Sequence, residues 1–243
     1  MNTSHIIAAI AGTALSVVAL GGTAQAFTVG GHLNGQEFDD LGLAIPWAAE
    51  TRIGRVGDHE INIHDITNSS QNRVQADYDY WVNGEGVDFS LVFDSLEKTL
   101  TYTVAGVTVQ KTSILENYFS DLYIRTSARV EGSSIVVDNL FLADEKMSAA
   151  INATSSAACA GGVGCSYFDA EYLHISNIVG NFTLTGRSTM SWAEGSKPRN
   201  SQLAYQIKLV EGGPDVSVPE PTALLALGAV GLLAVGQRRR GDR

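Results

Sequence analysis

Apolar and polar residues alternate with a period of two through the middle of this chain, and that alternation leaves few folds open. Val87, Phe89, Leu91 and Phe93 alternate with Asp88, Ser90 and Asp94, interrupted only at Val92. Leu100, Tyr102 and Val104 alternate with threonines; Leu122, Ile124, Ala128 and Val130 alternate with Asp121, Tyr123, Arg125, Ser127 and Arg129. Ile135 and Val137 lead on to Leu140-Phe141-Leu142, and shorter runs follow at Leu173-x-Ile175, Phe182-x-Leu184 and Leu203-x-Tyr205-x-Ile207-x-Leu209. Successive side chains of an extended chain point to opposite sides, so a period of two gives each segment one apolar face and one polar face. Turn signals at 94–98, Ala105-Gly106 and Glu131-Gly132-Ser133 recur about every ten positions. No stretch of the body carries an amphipathic helical stripe. The expected fold is all-β, an antiparallel β-sandwich of jelly-roll or Ig-like type spanning 27–210.

The two ends follow a different pattern. The first 26 residues contain no Asp, Glu, Lys or Arg, are almost wholly apolar or small from Ile6 to Leu20, and close with Ala24-Gln25-Ala26. An apolar core followed by small-x-small is the shape a signal peptidase reads, so 1–26 is expected to be a cleaved signal helix, cut before Phe27. Its amino-terminal part lacks the usual Lys or Arg, leaving the α-amino group and His5 as the sources of positive charge. At the other end a linker at 211–217, with Gly212, Gly213 and Pro214, precedes Val218-Pro219-Glu220-Pro221. Residues 222–236 are then uninterrupted apolar or small, and Arg238, Arg239 and Arg240 follow. A helix over 222–237 is expected to enter the membrane. At 1.5 Å per residue the apolar run spans ~22 Å, short of the ~30 Å hydrocarbon core. The three arginines orient it with the tail in the cytoplasm and the body outside.

Between those ends the charge is strongly negative. Of the 16 Lys and Arg, four lie in the tail (Arg238, Arg239, Arg240, Arg243), and of the 26 Asp and Glu only Asp242 lies outside 27–220. That leaves 12 against 25, a net charge near −13. Such a body repels nucleic acid and anionic membrane. Cys159 and Cys165 stand within Ala-Cys-Ala-Gly-Gly-Val-Gly-Cys; in an exported chain they are expected to pair, with the glycines allowing the tight turn. The surrounding segment, 143–164, is mostly small residues with weak periodicity. It reads as a long loop clipped by the disulfide, with a short helical turn over 143–151 as the alternative.

Candidate chemistry in the body is sparse. His59-Glu60-Ile61-Asn62-Ile63-His64 has its histidines five apart on a strand-like pattern, so they point to opposite faces and do not form the helical zinc motif. Glu37, Asp39 and Asp40 lack EF-hand spacing. Asp77, Asp79 and Trp81 fall on one face of an extended segment, opposite Tyr78, Tyr80 and Val82. An acid pair beside a tryptophan suits a sugar platform, with Ca²⁺ as the one cofactor to consider; a solvated strand face is the plainer reading. There is no Gly-x-Ser-x-Gly elbow and no phosphate-cradling glycine loop. No catalytic residue is assigned, and the chain is not expected to be an enzyme.

Val-Pro-Glu-Pro, a short Leu/Ala/Gly helix and a terminal arginine cluster resemble the PEP-CTERM sorting signal, placed at 218–243. The resemblance implies an exosortase as partner, cleavage near Pro219, Glu220 and Pro221, and transfer of the body to the cell envelope or beyond in bacteria that make exopolysaccharide. Trp81-Val82-Asn83-Gly84, Val87-x-Phe89-x-Leu91-x-Phe93-Asp94, Thr101-Tyr102-Thr103-Val104 and Asp121-Leu122-Tyr123-Ile124-Arg125-Thr126 resemble the choice-of-anchor domains, extracellular β-rich modules placed before sorting anchors. That likeness runs over about 72–208 and implies a fold, with no catalytic residues to carry over. The role expected from both is structural or adhesive, within an exopolysaccharide matrix; the alternative is a carbohydrate-binding module assisted by Ca²⁺, and a hydrolase ranks behind it.

Overall fold

The computed structural model describes residues 26–54, 60–67, 72–79, 81–116 and 118–212. The strands in chain order are β1 (Thr28–Asn34), β2 (Trp47–Ile53), β3 (Ile61–Asp65), β4 (Arg73–Ala76), β5 (Gly86–Asp94), β6 (Thr99–Val104), β7 (Val107–Thr112), β8 (Phe119–Ala128), β9 (Ser133–Asp144), β10 (Ser148–Ile151), β11 (Ser155–Cys159), β12 (Glu171–Ser176), β13 (Phe182–Ser191) and β14 (Leu203–Glu211). A helix, α1 (Gly35–Asp40), follows β1, and a 3₁₀ turn covers Tyr167–Asp169. The first sheet has the order β1-β12-β8-β14-β2-β3-β4; the second has β10-β9-β13-β5-β6-β7, with β11 also on β9. Every pairing is antiparallel. The sandwich expected from the alternation is the fold observed.

The apolar alternation becomes the inner face of each sheet. Val87, Phe89, Leu91 and Phe93 of β5 and Leu100, Tyr102 and Val104 of β6 meet Leu122, Ile124, Leu203, Tyr205, Ile207 and Leu209 from the first sheet in one buried cluster. Each fully buried large aliphatic side chain stabilises the fold by roughly 1.5–3 kcal/mol relative to exposure. Two tyrosines carry polar groups into this core. The Tyr102 hydroxyl lies 2.6 Å from Thr51 Oγ1 and donates to Tyr205 at 2.8 Å, so three hydroxyls from the two sheets satisfy one another across the interface. Burial holds Tyr205 up to about 12 and pushes Tyr102 well above its ordinary value.

Local turn chemistry follows the signals in the chain. β6 and β7 are joined by Ala105 and Gly106 at φ 48° and 83°, the left-handed pair a two-residue hairpin needs. In β13, a Cβ on Gly186 would meet Phe89 and Leu140 side-chain atoms at 2.7 and 2.8 Å, so only glycine leaves room for these two side chains from the flanking strands β5 and β9 of the same sheet.

Two expectations are corrected. The segment 143–164, read as a loop with a short helical turn over 143–151, instead holds the end of β9 and the strands β10 and β11. Both pair with β9, β10 along Leu140–Ala143 and β11 along Ser133–Val137. In β11 the inward positions are Ser155, Ala157 and Cys159, too small to give a hydrophobic signal although they are buried. The second correction is α1, which no apolar stripe announced. Asn34 caps it: its side chain accepts from Glu37 N–H at 2.9 Å while Glu37 Oε2 accepts from Asn34 N–H at 2.8 Å. Phe38 from α1 then stacks on Tyr172 at 3.9 Å and meets Tyr123 edge-on at 5.1 Å, fixing the helix to the outer face of the first sheet.

Candidate functional site

The residues singled out in the sequence are separated by the fold. β4 ends at Ala76, so Asp77, Asp79 and Trp81 do not line one strand face. Asp77 and Asp79 are exposed, whereas Trp81 is 6% exposed and packs in the core, with Tyr78 edge-on at 4.7 Å. Its indole N–H donates to Glu60 Oε2 at 2.8 Å. The sugar-platform reading of Trp81 is therefore overturned: the ring is an internal anchor and offers no face to a ligand. Glu60 also accepts from Gly54 N–H at 2.8 Å; burial nevertheless raises its carboxyl above the ordinary value, against the pull of those two bonds. His64 lies on β3 as expected, and His59 lies outside the described residues, as do Ala24, Pro219, Glu220, Pro221, Arg238, Arg239, Arg240 and the helix expected at 222–237. Ala26 is exposed, and Phe27, just before β1, packs partly against the core.

Cys159 and Cys165 form the expected disulfide, with Cα atoms 4.6 Å apart. The loop between them is held from outside. Glu131 accepts from Gly161 N–H at 2.6 Å and Gly162 N–H at 3.1 Å, which together lower its carboxyl below the ordinary value. Gly164, at φ 76°, passes so near the Ala158 carbonyl that a Cβ would come within 2.0 Å of it. Glu131 and both sulfurs lie within 4.8 Å of one another, but the sulfurs are bonded and have no thiolate to give a metal.

Ser120, Asp121 and His174 lie together at one end of the first sheet. Asp121 Oδ1 lies 2.7 Å from His174 Nε2, and the Ser120 hydroxyl donates to the other carboxylate oxygen. The order is serine–carboxylate–histidine. Nucleophilic catalysis needs the histidine in the middle, taking the hydroxyl proton, so this chain of bonds positions side chains and does not activate Ser120. Burial alone would raise Asp121, but the bonds from His174 and Ser120 outweigh it and hold the carboxyl below its ordinary value. Tyr123 stacks flat on the His174 ring at 4.3 Å.

Among the described residues, the outer face of β8, β14, β2 and β3 gathers the buried charges Glu50, Arg52 and Arg125. Registers place Arg125, Gln206, Glu50 and Asn62 in one row, Tyr123, Lys208, Ala48 and His64 in the next, and Ser127, Ala204 and Arg52 on the other side. Glu50 lies 3.9 Å from Arg52 Nη1 and accepts from Asn62 Nδ2 at 3.2 Å; Asn62 Oδ1 is 2.6 Å from His64 Nδ1. The Arg125 guanidinium sits 4.9 Å from the Tyr167 ring and 5.9 Å from Tyr172, and Lys208 Nζ lies 5.3 Å over Phe38. Burial, reinforced by the Arg125 charge, brings Lys208 down to about 8 against the pull of Asp39 and Glu50. Burial likewise lowers His64, with Lys208, Arg73 and Arg52 adding to it and Glu50 opposing. Sequence reasoning passed over this face because each residue, taken alone, reads as the solvated side of an alternating strand.

Residues 217–240 match the family model described as the PEP-CTERM protein-sorting motif. The match contains Val218-Pro219-Glu220-Pro221 and the three arginines, and it marks the chain as an exported protein processed at its C-terminus by an exosortase. No curated protein matches the chain.

Proposed function

We propose that this protein is a non-catalytic component of the cell envelope or extracellular matrix, delivered through its C-terminal signal and serving a structural or adhesive role in association with exopolysaccharide. The sorting motif at 217–240 carries the reading. Two features of the body support it. A disulfide closing a glycine loop suits an oxidising, extracytoplasmic compartment. A two-sheet sandwich whose core hydroxyls satisfy one another suits a rigid scaffold. In this reading signal peptidase removes 1–26, the exosortase cuts near Pro219-Glu220-Pro221, and the acidic body is left outside.

The test is fractionation of the producing cells with and without their exosortase. Intact cells should yield a processed body that sediments with the polysaccharide fraction; the deletion strain should hold a longer form in the inner membrane. Identical size and distribution in both strains would refute sorting, and a processed body found wholly apart from polysaccharide would refute the matrix role.

A further inference from the structure

Two rows on the outer face of the second sheet carry no charge. Registers place Ala150, Phe141, Thr185, Ser90, Thr103 and Thr108 side by side in one row across six strands, from β10 to β7. Next to it run Ala143, Thr183, Val92, Thr101 and Gln110. Neither row holds an acid or a base, although the body carries 25 acids against 12 bases. The charges bordering the first row are Asp138, Arg187 and Asp88, and Arg187 donates to Asp88 at 2.7 and 3.1 Å. Phe141 departs from the small polar residues around it: the ring is 41% exposed, while its sequence neighbours Leu140 and Leu142 point inward and are buried.

A cavity of ≈ 560 Å³ opens at the Phe141 end of the row. It arises from the pairing of β9, which β10 covers along Leu140–Ala143 and β11 along Ser133–Val137, so that neither covers Asp138 or Asn139. Asn139 takes φ 50° there, and the connection through Asn152 and Thr154 passes round the gap. Asn139, Asn152 and Thr154 therefore line the cavity with neutral amides and a hydroxyl beside an aromatic ring.

We propose that this row and cavity bind a neutral, extended polysaccharide. One sugar ring stacks on Phe141, its neighbour enters the cavity, and the chain runs on over Thr185, Ser90, Thr103 and Thr108. A sugar presents an apolar C–H face and hydroxyl edges, which match an exposed ring flanked by hydroxyls and amides. Thr185, Ser90 and Thr103 are half-buried and Thr108 is exposed. The Thr103 and Thr108 hydroxyls share one bond at 2.8 Å, which leaves a proton and further lone pairs for a ligand. Six strands about 4.8 Å apart give the row a length of roughly 24 Å, which an extended chain can follow and a coiled one cannot. Charge selects the occupant. An anionic polymer is repelled by the body and finds no base in either row, and a cationic one finds no acid there. A protein partner needs an apolar centre, which one ring does not supply. The proposal rests on the polysaccharide association argued above and names the site and the chemistry.

Calorimetric titration of the processed protein from its producing cells tests it, against glucomannan (neutral and extended), dextran (neutral and coiled) and polygalacturonate (anionic). Glucomannan should bind with an affinity that added salt leaves unchanged, because no ion pair forms. Dextran and polygalacturonate should bind at least about tenfold more weakly. Phe141→Ala should lower glucomannan affinity about tenfold, and Phe141→Tyr, which keeps the ring, should restore it. Ser90→Lys, which sets a long charged chain across the middle of the row, should also lower it about tenfold. Absence of glucomannan binding, weakening by salt, equal binding of either other polymer, or wild-type affinity in Phe141→Ala or Ser90→Lys would each overturn the site; if one variant loses its fold, the other decides. If wild-type protein and both variants sediment equally with native polysaccharide, this site is wrong and the matrix role stands. If the wild type does not sediment with it, the matrix role itself fails.

Discussion

Replacing Lys208 by methionine is expected to stabilise the protein at neutral pH, although it removes a charged group and a ring contact. Lys208 is brought from 10.5 to about 8 by burial and by the neighbouring Arg125 charge. Folding at pH 7 therefore carries a charged ammonium in a place that disfavours it. At 1.36 kcal/mol per tenfold change in proton affinity, the penalty is about 3 kcal/mol. Against this stands the contact of Lys208 Nζ with the Phe38 ring at 5.3 Å, about 0.5–1 kcal/mol where the pair is partly solvated. Methionine matches the length of the stem and keeps its apolar packing, so a net gain of about 2 kcal/mol is expected at pH 7. The pH dependence distinguishes this cause from better packing. A lysine depressed in the fold releases its proton there first, so the unfolded chain binds more protons between pH 8 and 10.5 and wild-type stability rises through that window. Tyrosine titrations affect both proteins alike and cancel in the difference. Urea denaturation at pH 7 and at pH 10 should show the Lys208→Met advantage shrinking to below about 1 kcal/mol at the higher pH. An advantage of equal size at both values, or a variant less stable at pH 7, would refute the electrostatic account.

Tyr102→Phe should cost about 1–3 kcal/mol in denaturant midpoint measurements, since Thr51 and Tyr205 each lose their shared partner inside the core. Trp81→Ala should cost about 3–5 kcal/mol by the same assay, because it empties a core position and leaves the Glu60 carboxylate without its indole donor; an unchanged stability would restore an exposed role for the ring. Cys159→Ser with Cys165→Ser should lower stability by about 2 kcal/mol, the value for a loop with a sequence separation of 6, and thiol labelling of the native exported protein should modify neither cysteine. As pH falls below the ordinary histidine value of 6.5, stability should decline, because His64 is depressed in the fold and the unfolded chain takes up its proton first; His64→Asn should flatten that part of the profile.

The sandwich was readable because its inner faces obey a simple rule. In β5 and β6 every second residue is large and apolar, and each of those is buried. The rule weakens where the inward residues are small. β11 presents Ser155, Ala157 and Cys159 to the interior, and no hydrophobicity pattern separates that from a polar loop. It weakens again where a short helix depends on capping: the Asn34–Glu37 box was present in the letters, but α1 is held by Phe38 against Tyr172 and Tyr123, partners more than 80 positions away. Trp81 failed for a third reason. Its neighbours alternate as a strand would, yet β4 has ended at Ala76, and the ring turns inward toward Glu60, a contact set by tertiary structure alone.

The outer face of the first sheet shows the same limit at its most consequential. Alternation places Glu50, Arg52, Arg125 and Lys208 on the polar side of their strands, and polar side ordinarily means solvent. Here Glu50, Arg52 and Arg125 are buried, and all seven positions of β2 are buried on both faces. Such a face is expensive. Lys208 is held near 8, the Arg125 Nε is unsatisfied, and the Ser127 hydroxyl has no partner. A scaffold selected for stability alone would fill these positions with apolar side chains, because a buried ionic group seldom stabilises more than the apolar residue that could replace it. Three such costs of different kinds meet on one face of an acidic protein sent out of the cell.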